Sequence, residues 1–522
     1  MSNTMTHPAL VFVFAACCSV MSACGFAGEN EGVTVDADFS SNLPLLVLEF
    51  ADTDGASNAV LGVMSLHDNA AGTAKLRDAP KSVSKITARW WADAPVSEKL
   101  DLSVKLVADG GAAVEPLSLA GLPADTAWRL HGSIRDKGML RNGLAYALGL
   151  VLFGEDAPRT RFCEVLVRRG ENYEYLGIHI LAEDGVRIAE RLAGDAEDAF
   201  VIQYSHGIDR FDDNTVRLGD RFFTSLIPRR GGDEAESGRR IGVELARLEN
   251  ALQSIRPRDF LAHESMIDHD SAIDLYILNA LMLNSFETRV PFFLLKGENG
   301  KLRFLPVWDF DYALDNQPER DRPLPFEEKI QRVEEPSIFE RRLPVWRTLE
   351  SGGDIRDVRV YPAYQVLGGE SFLWFDRLFL SRSFLIKFFD RYHRLRRTVL
   401  SPQAVQAVVD GMTVTLGPAL ERDWSRWYDA YTAVEGPYAL APFVDEEGIT
   451  HIRRTEDYDQ DAVKIRRNIR EQDSFLLVQM EQLVWMTVDL YDRGTAGNRY
   501  ALYSMATIAG LMVLMHLLSK RL

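Results

Sequence analysis

Cysteine is scarce in this sequence, and the positions of the few cysteines limit what they can do. Cys17, Cys18 and Cys24 lie near the start of the chain, and Cys163 stands alone in the rest of it. A single cysteine can form neither an intrachain disulfide nor a cysteine-based metal site. Both are therefore excluded for the body of the protein, and we expect Cys163 to be a small core residue.

An excess of positive charge is also missing. Lysine and arginine number 59 against 76 aspartate and glutamate residues, which gives a formal net charge of -17. No long basic run offsets this balance. Because binding to a phosphate backbone needs a basic face, nucleic acid is excluded as the main partner. The sequence also shows no internal repeats and no low-complexity tract. At 522 residues with 46% hydrophobic content, it is typical of a globular protein larger than one small domain.

The first apolar stretch indicates export. Residues 1–24 contain the segment ALVFVFAACCSVMSAC, a short apolar run followed by small residues, although the usual positively charged start is missing. The tetrapeptide MSAC, which ends at Cys24, is similar to a lipobox and would make Cys24 the lipidated first residue of a lipoprotein. We therefore predict a signal peptide or lipoprotein signal over residues 1–24, with an uncleaved apolar anchor as the alternative.

The second apolar stretch predicts a membrane anchor. Residues 500–518 carry no charged side chain and are followed by Lys520 and Arg521. As a helix they would span roughly 28 Å at about 1.5 Å per residue, close to the hydrocarbon thickness of a bilayer. A buried core helix is the alternative. With the basic residues on the cytoplasmic side, the protein is expected to be exported and membrane-anchored in the cell envelope, its body outside the cytoplasm.

Between these ends the patterns predict a mixed α/β (α+β) protein. Strand-like segments such as LPLLVLEF, KITARWWA and LDLSVKLVAD dominate residues 36–205, and helical spacing dominates residues 206–496. We expect hairpin turns at 169–172 and 297–300. We also predict Asp268 and Asp270 as caps of a helix that begins at Ser271. A helix with an apolar face is expected earlier in the chain, the face comprising Leu140, Leu144, Ala147, Leu148 and Val151.

The segment LPVWDFDYALDN places two aspartates, Asp309 and Asp311, directly behind an apolar strand and a tryptophan. Carboxylate oxygens are the natural ligands of magnesium, so this pair is a candidate metal site. The alternative is a strand that ends in a polar turn. A second acidic and histidine-containing segment, HESMIDHD, could also bind a metal, but helix capping is the simpler interpretation.

Several segments taken together resemble the spore-coat-protein-H (CotH) kinase family. The most specific are DKGMLRN at residues 136–142, YLGIHILAE at 175–183 and WDFD at 308–311, and the resemblance runs from about residue 43 to about residue 427. It implies a divergent two-lobed protein-kinase-like fold, with a β-rich first lobe and a helical second lobe that carries the metal-site strand pair. It also implies transfer of the γ-phosphoryl group of ATP to serine or threonine of an envelope or extracellular protein.

The resemblance assigns expected roles to individual residues. Asp309 or Asp311, or both, would hold Mg²⁺ or Mn²⁺. A lysine of the first lobe would neutralise the α- and β-phosphates of ATP, with Lys99 and Lys105 as candidates and Glu183 as the carboxylate that orients it. Arg141 and Asn142 match family positions, where we expect them to brace the lobe.

The catalytic loop departs from the family pattern. Asn284 matches, but Phe286 stands where active members have an aspartate, and Pro291 stands where they have a second asparagine. Glu287 is one residue away and could act as a displaced base. Proton transfer needs heavy atoms within about 3 Å, and general acid–base assistance is worth about 10²- to 10⁴-fold in rate. In the first lobe, Arg89 precedes two tryptophans where glycine would suit phosphate binding.

Three functions therefore stay open. The chain is either an active kinase or a catalytically degraded pseudokinase that binds an envelope partner as an attachment protein. The third possibility is a metal-dependent glycosyl-transfer or exopolysaccharide-related protein, because nucleotide-sugar transferases also hold a diphosphate through an Asp-x-Asp metal site. No Rossmann-like opening precedes the acidic motif, which disfavours the third.

Overall fold

A computed structural model describes most of the body of the chain. The described residues are 33–50, 59–69, 72–90, 99, 101–108, 113–194, 199–204, 215–218, 221–226, 234–254, 256–284, 292–297, 300–306, 309–314, 316, 374–379, 381–433, 443–444, 450–451, 457–470 and 473.

Strands precede most of the helices along the chain. The strands are β1 (Thr34–Val35), β2 (Ser40–Ser41), β3 (Leu45–Phe50), β4 (Ala59–His67), β5 (Ala74–Lys75), β6 (Ser82–Trp90), β7 (Leu102–Leu106), β8 (Ala127–His131), β9 (Thr160–Arg169), β10 (Asn172–Glu183), β11 (Phe200–Tyr204), β12 (Thr215–Leu218), β13 (Arg221–Ser225), β14 (Phe292–Lys296), β15 (Leu302–Leu305), β16 (Phe443–Val444) and β17 (Thr450–His451). The helices are α1 (Leu140–Phe153), α2 (Gly185–Ala193), α3 (Glu234–Gln253), α4 (Pro257–Phe260), α5 (His269–Leu281), α6 (Phe375–Leu378), α7 (Arg382–Arg396), α8 (Pro402–Leu416) and α9 (Pro418–Thr432). Residues 458–470 are also helical.

The β-rich first part of the chain closes into a barrel. Its strands follow the order β10-β8-β7-β6-β4-β3-β9, and β9 pairs again with β10, which completes a ring of seven strands. The pairing between β3 and β9 is parallel, and the other pairings in the ring are antiparallel. The predicted α+β class is thus confirmed. In place of the β-rich lobe expected for a kinase-like fold, the strand-rich half is a closed barrel, because β9 pairs with both β3 and β10 and leaves the ring no unpaired edge strand.

Alternation along each strand separates the barrel interior from its outer face. On β3, Leu46 and Leu48 point into the interior, while Leu45 and Val47 belong to an apolar cluster on the outside. Cys163 lies in the interior cluster as a free, buried thiol, which confirms its predicted role as a small core residue. The interior is filled by apolar side chains, among them Met64, Ile86, Val104, Trp128, Val165 and Leu181.

The second part of the chain combines helices with a five-stranded antiparallel sheet. The strand order is β12-β13-β11-β14-β15. A large apolar core joins this sheet to the helices and to the outer face of β10, and its members include Leu144, Ile178, Leu245, Ile273, Phe304 and Phe388. The helical part therefore packs against the outer face of the barrel through a core that is separate from the barrel interior, and this core includes Phe310 and Leu314 of the acidic loop together with residues of α1.

Most local predictions agree with the structure. Strands β9 and β10 meet at the predicted 169–172 turn, and β14 and β15 meet at the predicted 297–300 turn. Asp268 caps α5 by accepting hydrogen bonds from two backbone N–H groups, as predicted. The predicted cap at Asp270 was wrong, because the helix begins at His269 and Asp270 lies within its first turn. The predicted apolar face of α1 was wrong at Val151, which is exposed, because Leu152 takes the buried position one residue later.

The terminal segments cannot be compared with their predictions. The signal sequence, Cys24 and the apolar segment 500–518 lie outside the described residues. Among the residues that are described, no helix is both long enough and apolar enough to cross a membrane.

We predict that acid weakens the fold through a buried histidine. His179 on β10 is fully buried, and burial together with the charge of Lys99 lowers its pKa from 6.5 to about 3. The unfolded chain binds a proton near pH 6.5, so stability is lost as the pH falls below that value. Between pH 7.5 and 5 this one group should cost about 2 kcal/mol of unfolding free energy.

The measurement is thermal unfolding of the wild-type protein and of His179→Gln at both pH values. The variant should lose less stability on acidification than the wild type. Equal losses in the two proteins would contradict the assignment to His179. Other histidines whose pKa is lowered by burial act in the same direction, namely His67, His263, His269 and His393.

Candidate functional site

The candidate site lies in the loop that follows β15 and carries Asp309 and Asp311. Asp309 has a φ of +87°, a backbone region that side-chain-bearing residues rarely adopt. Its Oδ1 accepts a long hydrogen bond of 3.5 Å from the backbone N–H of Asp311. Because a positive φ at a non-glycine residue costs about 1–3 kcal/mol, contacts from elsewhere must hold this loop in place.

The first turn of α1 supplies those contacts. Buried Asp136 accepts hydrogen bonds from the backbone N–H groups of Arg141 at 3.0 Å and Asn142 at 2.8 Å. It thereby satisfies donors that every helix N-terminus leaves without an intrahelical partner. The Asn142 side chain faces the loop, where its Oδ1 accepts from the backbone N–H of Phe310 at 2.9 Å and its Nδ2 donates to Asp311 Oδ1 at 2.8 Å.

Both carboxylate oxygens of Asp311 are engaged in this way. Ser133, in the loop before α1, donates its hydroxyl to Asp311 Oδ2 at 2.7 Å. Asn316 donates to the main-chain oxygen of Asp311 at 2.6 Å. The orientation of Asp311 is therefore fixed by side chains from two separate segments, whereas the described residues give Asp309 no comparable support.

Arg141 ties the same loop to the C-terminal helical residues. Its guanidinium makes two hydrogen bonds of 2.8 Å to the Asp461 carboxylate, and its Nε donates to the Ala313 carbonyl at 3.1 Å. Asn468 donates to the Leu314 carbonyl at 2.8 Å. These contacts confirm the predicted bracing role of Arg141. Asn142 combines bracing with a direct contact to Asp311, which the sequence did not predict.

A histidine at the end of β8 completes the surroundings of Asp311. His131 is 3% exposed, and its Nε2 lies 3.6 Å from Asp311 Oδ1 without a hydrogen-bond partner among the described residues. Its Nδ1 lies 3.2 Å from Asp101 Oδ2. Asp101 is in turn held by the guanidinium of Arg129, whose Nε donates to Asp101 Oδ1 at 2.8 Å.

The two loop aspartates differ in their electrostatics. Burial, followed by repulsion from Asp311, raises the pKa of Asp309 to about 7. Burial would also raise the pKa of Asp311, but the neighbouring charged His131, helped by hydrogen bonds from Ser133 and Asn142, brings it below the usual value. Although burial opposes it, Asp101 and then Asp311 raise the pKa of His131 to about 10. The site therefore pairs a firmly ionised carboxylate with one whose charge lacks compensation.

This donor set suits a divalent cation. Two carboxylates lie close together, one of them carries a raised pKa, and a buried imidazole nitrogen beside them has no hydrogen-bond partner among the described residues. A positive ion would relieve the repulsion between the two carboxylates and could take the place of the proton on the imidazole. In the described part of the chain, no three histidine, cysteine, aspartate or glutamate side chains are already grouped to hold a metal ion. A bound cation would therefore need further ligands, such as water or a phosphate.

Lys99 occupies a different place from the one predicted for a phosphate ligand. Its ammonium group is completely buried, 2.9 Å from Asp423 Oδ1 and 2.7 Å from the Tyr431 hydroxyl, both on α9. The same Asp423 oxygen accepts the backbone N–H of Ile178 at 2.7 Å. Lys99 thus fastens the barrel to the helical part and cannot contact a phosphate without breaking this buried pair.

The glycine of the Tyr-x-Gly segment, Gly177, lies at a position that has no room for a side chain. It has a φ of +94° beside an irregularity in the β9–β10 register, and a β-carbon there would lie 2.3 Å from Asp423 Oδ1. A residue with a side chain would displace that carboxylate from Lys99. This part of the family-like pattern therefore serves the junction between barrel and helices.

The other predicted site residues lie in separate environments. Lys105 is exposed on β7. Buried Glu183 accepts the backbone N–H of Arg159 at 2.8 Å, which joins the ends of β9 and β10. Buried Asn284 donates its side-chain amide to Asn279 at the end of α5. Further predictions fall on residues outside the described ones, namely Phe286, Glu287, Pro291 and Trp308.

Sequence reasoning missed His131 and Ser133 beside Asp311, and it identified Asn142 without its contact to Asp311. His131, Ser133 and Asn142 come from the end of β8, the following loop and the start of α1, more than 160 positions before Asp311. A usable indication was present, because polar residues directly after a buried strand often lie at a functional edge. The pairing across such a sequence distance is visible only in the folded chain.

A separate cleft of about 280 Å³ opens between α3 and the β14–β15 hairpin. Its walls combine apolar and polar side chains, and the polar ones include Glu244 and Lys296, which form an ion pair of 2.5 Å. Asp309 and Asp311 do not line this cleft. The candidate metal site is therefore a separate feature of the surface.

Comparison with known proteins identifies the family. A sequence model described as CotH kinase protein matches residues 98–472, which is well over half of the chain. The match includes Lys99, the α1 segment, the acidic loop and the helix that carries Asp461. No curated protein matches the sequence significantly. The resemblance carried by the DKGMLRN, YLGIHILAE and WDFD segments is thereby confirmed, and the chain belongs to the CotH kinase family.

Proposed function

We propose that this protein binds a divalent cation and ATP at the Asp309–Asp311 loop and transfers the γ-phosphoryl group to a serine or threonine hydroxyl of a protein. The observation that carries the proposal is the fixed carboxylate of Asp311, oriented by Ser133 and Asn142 beside the less supported Asp309. Family membership supports a kinase-like activity of this general kind.

The chain's own residues supply orientation and charge. Asp311 stays ionised because His131, Ser133 and Asn142 stabilise its negative form. Burial and Asp311 raise the pKa of Asp309, so a cation bound nearby would favour its ionised form. When bound, Mg²⁺ or Mn²⁺ would neutralise charge on the triphosphate oxygens, which is most of what phosphoryl transfer requires of a protein.

The positive charges near the aspartates come from a histidine and an arginine, whereas a protein kinase uses a lysine. The groups that stabilise ionised Asp309 are His131 and Arg129. Glu287 is our candidate for accepting the proton of the substrate hydroxyl. Without the aspartate that Phe286 replaces, we expect turnover to be slower than with a well-placed base by about 10²- to 10⁴-fold.

A second candidate function is binding without catalysis. The enclosure of Lys99 by Asp423 and Tyr431 favours it, because that lysine is the family-like candidate for holding the α- and β-phosphates. In that case the fold would bind an envelope partner or polymer as an attachment protein. We place either function outside the cytoplasm, on the basis of the apolar segments at residues 1–24 and 500–518.

The test uses the full-length protein in mild detergent, incubated with γ-labelled ATP, Mg²⁺ or Mn²⁺ and a serine-rich acceptor protein. We expect metal-dependent label on the acceptor that is lost in Asp311→Asn, since the amide keeps the side-chain shape but removes the charge. Asp268→Asn, which alters a helix cap elsewhere, is the matched control and should keep the activity.

The other outcomes separate the candidate functions. Metal-dependent ATP binding without label would support the non-catalytic protein. Labelling from a nucleotide sugar instead of ATP would support the glycosyl-transfer alternative. If neither ATP nor its metal complex raises the unfolding temperature and no label is transferred, the proposed function is wrong.

A further inference from the structure

We propose that His131 is a metal ligand and that the preformed part of the cation site is the imidazole of His131 together with the carboxylate of Asp311. This inference deepens the proposed function, since it concerns the cation of the same site. It adds to that site a nitrogen ligand, which the acidic Asp-x-Asp motif does not contain. A nitrogen ligand also gives the site a preference among metal ions.

The distance between the two donor atoms is suitable. His131 Nε2 and Asp311 Oδ1 are 3.6 Å apart. Two ligands that each lie about 2.1 Å from one metal ion are about 3.0–3.4 Å apart at angles of about 90–109°. A movement of a few tenths of an ångström therefore brings both atoms onto one ion. At 3.6 Å the two atoms are too far apart for an ordinary hydrogen bond.

Without metal, Nε2 of His131 faces the carboxylate of Asp311 at ion-pair distance but makes no hydrogen bond to the described residues. His131 is almost completely buried, yet its Nε2 has no hydrogen-bond partner among the described residues. Leaving a buried polar atom unpaired costs about 1–3 kcal/mol, so such an atom calls for an explanation. A cation bound between His131 and Asp311 would provide one, because it would displace the proton of Nε2 to solvent and take up the lone pair that this proton leaves.

Residues behind the pair are arranged as they are in established metal sites. Asp101 lies against Nδ1 of His131 at 3.2 Å, and Arg129 holds Asp101 in place. A carboxylate on the second ring nitrogen keeps a proton at Nδ1, so Nε2 is the nitrogen that would exchange its proton for a metal ion. On the other side, Ser133 and Asn142 fix the carboxylate of Asp311. Both donors are therefore held before any ion arrives.

A nitrogen ligand changes which ion the site prefers. Sites made of carboxylates, carbonyls and water suit Mg²⁺, whereas an imidazole suits later divalent metals and raises their affinity relative to Mg²⁺. We therefore expect Mn²⁺ to bind at least about tenfold more tightly than Mg²⁺. Asp309 would join as a further ligand after its side chain turns toward the ion, since the described geometry does not already group the three residues.

The experiment is electron paramagnetic resonance on the full-length protein with Mn²⁺ alone and no nucleotide. The signal of free Mn²⁺ gives the dissociation constant, and electron spin-echo modulation reports whether a nitrogen nucleus is bound to the ion. We expect modulation from one histidine nitrogen, which changes in the predicted way when the protein contains ¹⁵N-histidine. This isotope test needs no mutation, so a variant that fails to fold cannot obscure the answer.

Two variants extend the measurement. His131→Gln should remove the nitrogen modulation and weaken Mn²⁺ binding about 10- to 100-fold, with a smaller effect on Mg²⁺. His393→Gln changes a partly buried histidine on α7 whose charged neighbours are Arg396, Arg397 and Asp390; it is the matched control and should keep both the modulation and the affinity.

The outcomes separate this inference from the proposed function. Bound Mn²⁺ without nitrogen modulation, or no Mn²⁺ binding at all, overturns the assignment of His131 as a ligand. Metal-dependent phosphoryl transfer could still be present in either case. Nitrogen modulation in a protein that transfers no phosphate would support the ligand assignment and count against catalysis.

Discussion

Lys99→Met is expected to lower the unfolding free energy by about 3–5 kcal/mol. The substitution keeps most of the side-chain volume but leaves the carboxylate of Asp423 buried without its cation, with Tyr431 and the backbone N–H of Ile178 as its remaining hydrogen-bond donors. An uncompensated buried charge is among the most destabilising single changes in a protein. The measurement is thermal unfolding of the full-length protein at pH 7.5.

Lys105→Met is the matched control. Lys105 is exposed on the adjacent strand β7, so its replacement should change stability by no more than about 0.5 kcal/mol. The double variant Lys99→Met, Asp423→Leu should regain part of the lost stability, because it removes both charges together. If Lys99→Met left the unfolding temperature unchanged and abolished nucleotide binding, Lys99 would be a phosphate ligand, as its position in the sequence first indicated.

Asp309→Asn is expected to have opposite effects on stability and on cation binding. At pH 8 without metal, the variant should be more stable than the wild type by about 1 kcal/mol or more. The wild-type pKa is raised to about 7 by burial and by Asp311, so ionisation of Asp309 weakens the fold as the pH rises from about 4 to 7, and an amide avoids that loss. Asparagine also tolerates the positive φ well.

The same substitution should abolish the stabilisation that Mn²⁺ and ATP give the wild-type protein. At a ligand concentration of 100 times the dissociation constant this stabilisation is about 2.7 kcal/mol. Unfolding temperatures with and without metal at pH 8 and pH 5 provide the measurement. Asp136→Asn is an instructive comparison, because Asp136 caps α1 and its loss should destabilise the protein. An Asp309→Asn protein that is less stable without metal, or that keeps the full metal response, would show that Asp309 is structural.

Much of the local structure followed from sequence pattern. The alternating segments became β3, β6 and β7, the turns at 169–172 and 297–300 formed hairpins, and Asp268 capped α5. These features depend on residues that are close together in the sequence, so short-range patterns are enough to predict them. The prediction that Val151 belongs to the buried face was wrong, because helical spacing alone does not say which side of α1 meets the rest of the core.

The acidic loop itself was also identifiable, because two aspartates behind an apolar strand are conspicuous in the sequence. The residues that contact these aspartates could not be identified from the sequence. Asp311 is oriented by Asn142 from the start of α1 and faces His131 from the end of β8, and no sequence spacing connects these segments. For Lys99 the sequence suggested a contact that the structure does not show. Its position in the motif indicated a phosphate ligand, and only the fold revealed Asp423 beside it.

The sequence by itself determined that this protein is an acidic α+β chain of the CotH kinase family, with apolar segments at both ends and two aspartates after a buried strand. Those properties rest on composition, on short-range periodicity and on the order of motifs. Only the tertiary structure decided that the strands close into a seven-stranded barrel, that Lys99 is locked to α9 and that a buried imidazole faces Asp311. Charge pairing and coordination depend on distances of a few ångströms between atoms, and folding sets those distances for residues that lie hundreds of positions apart.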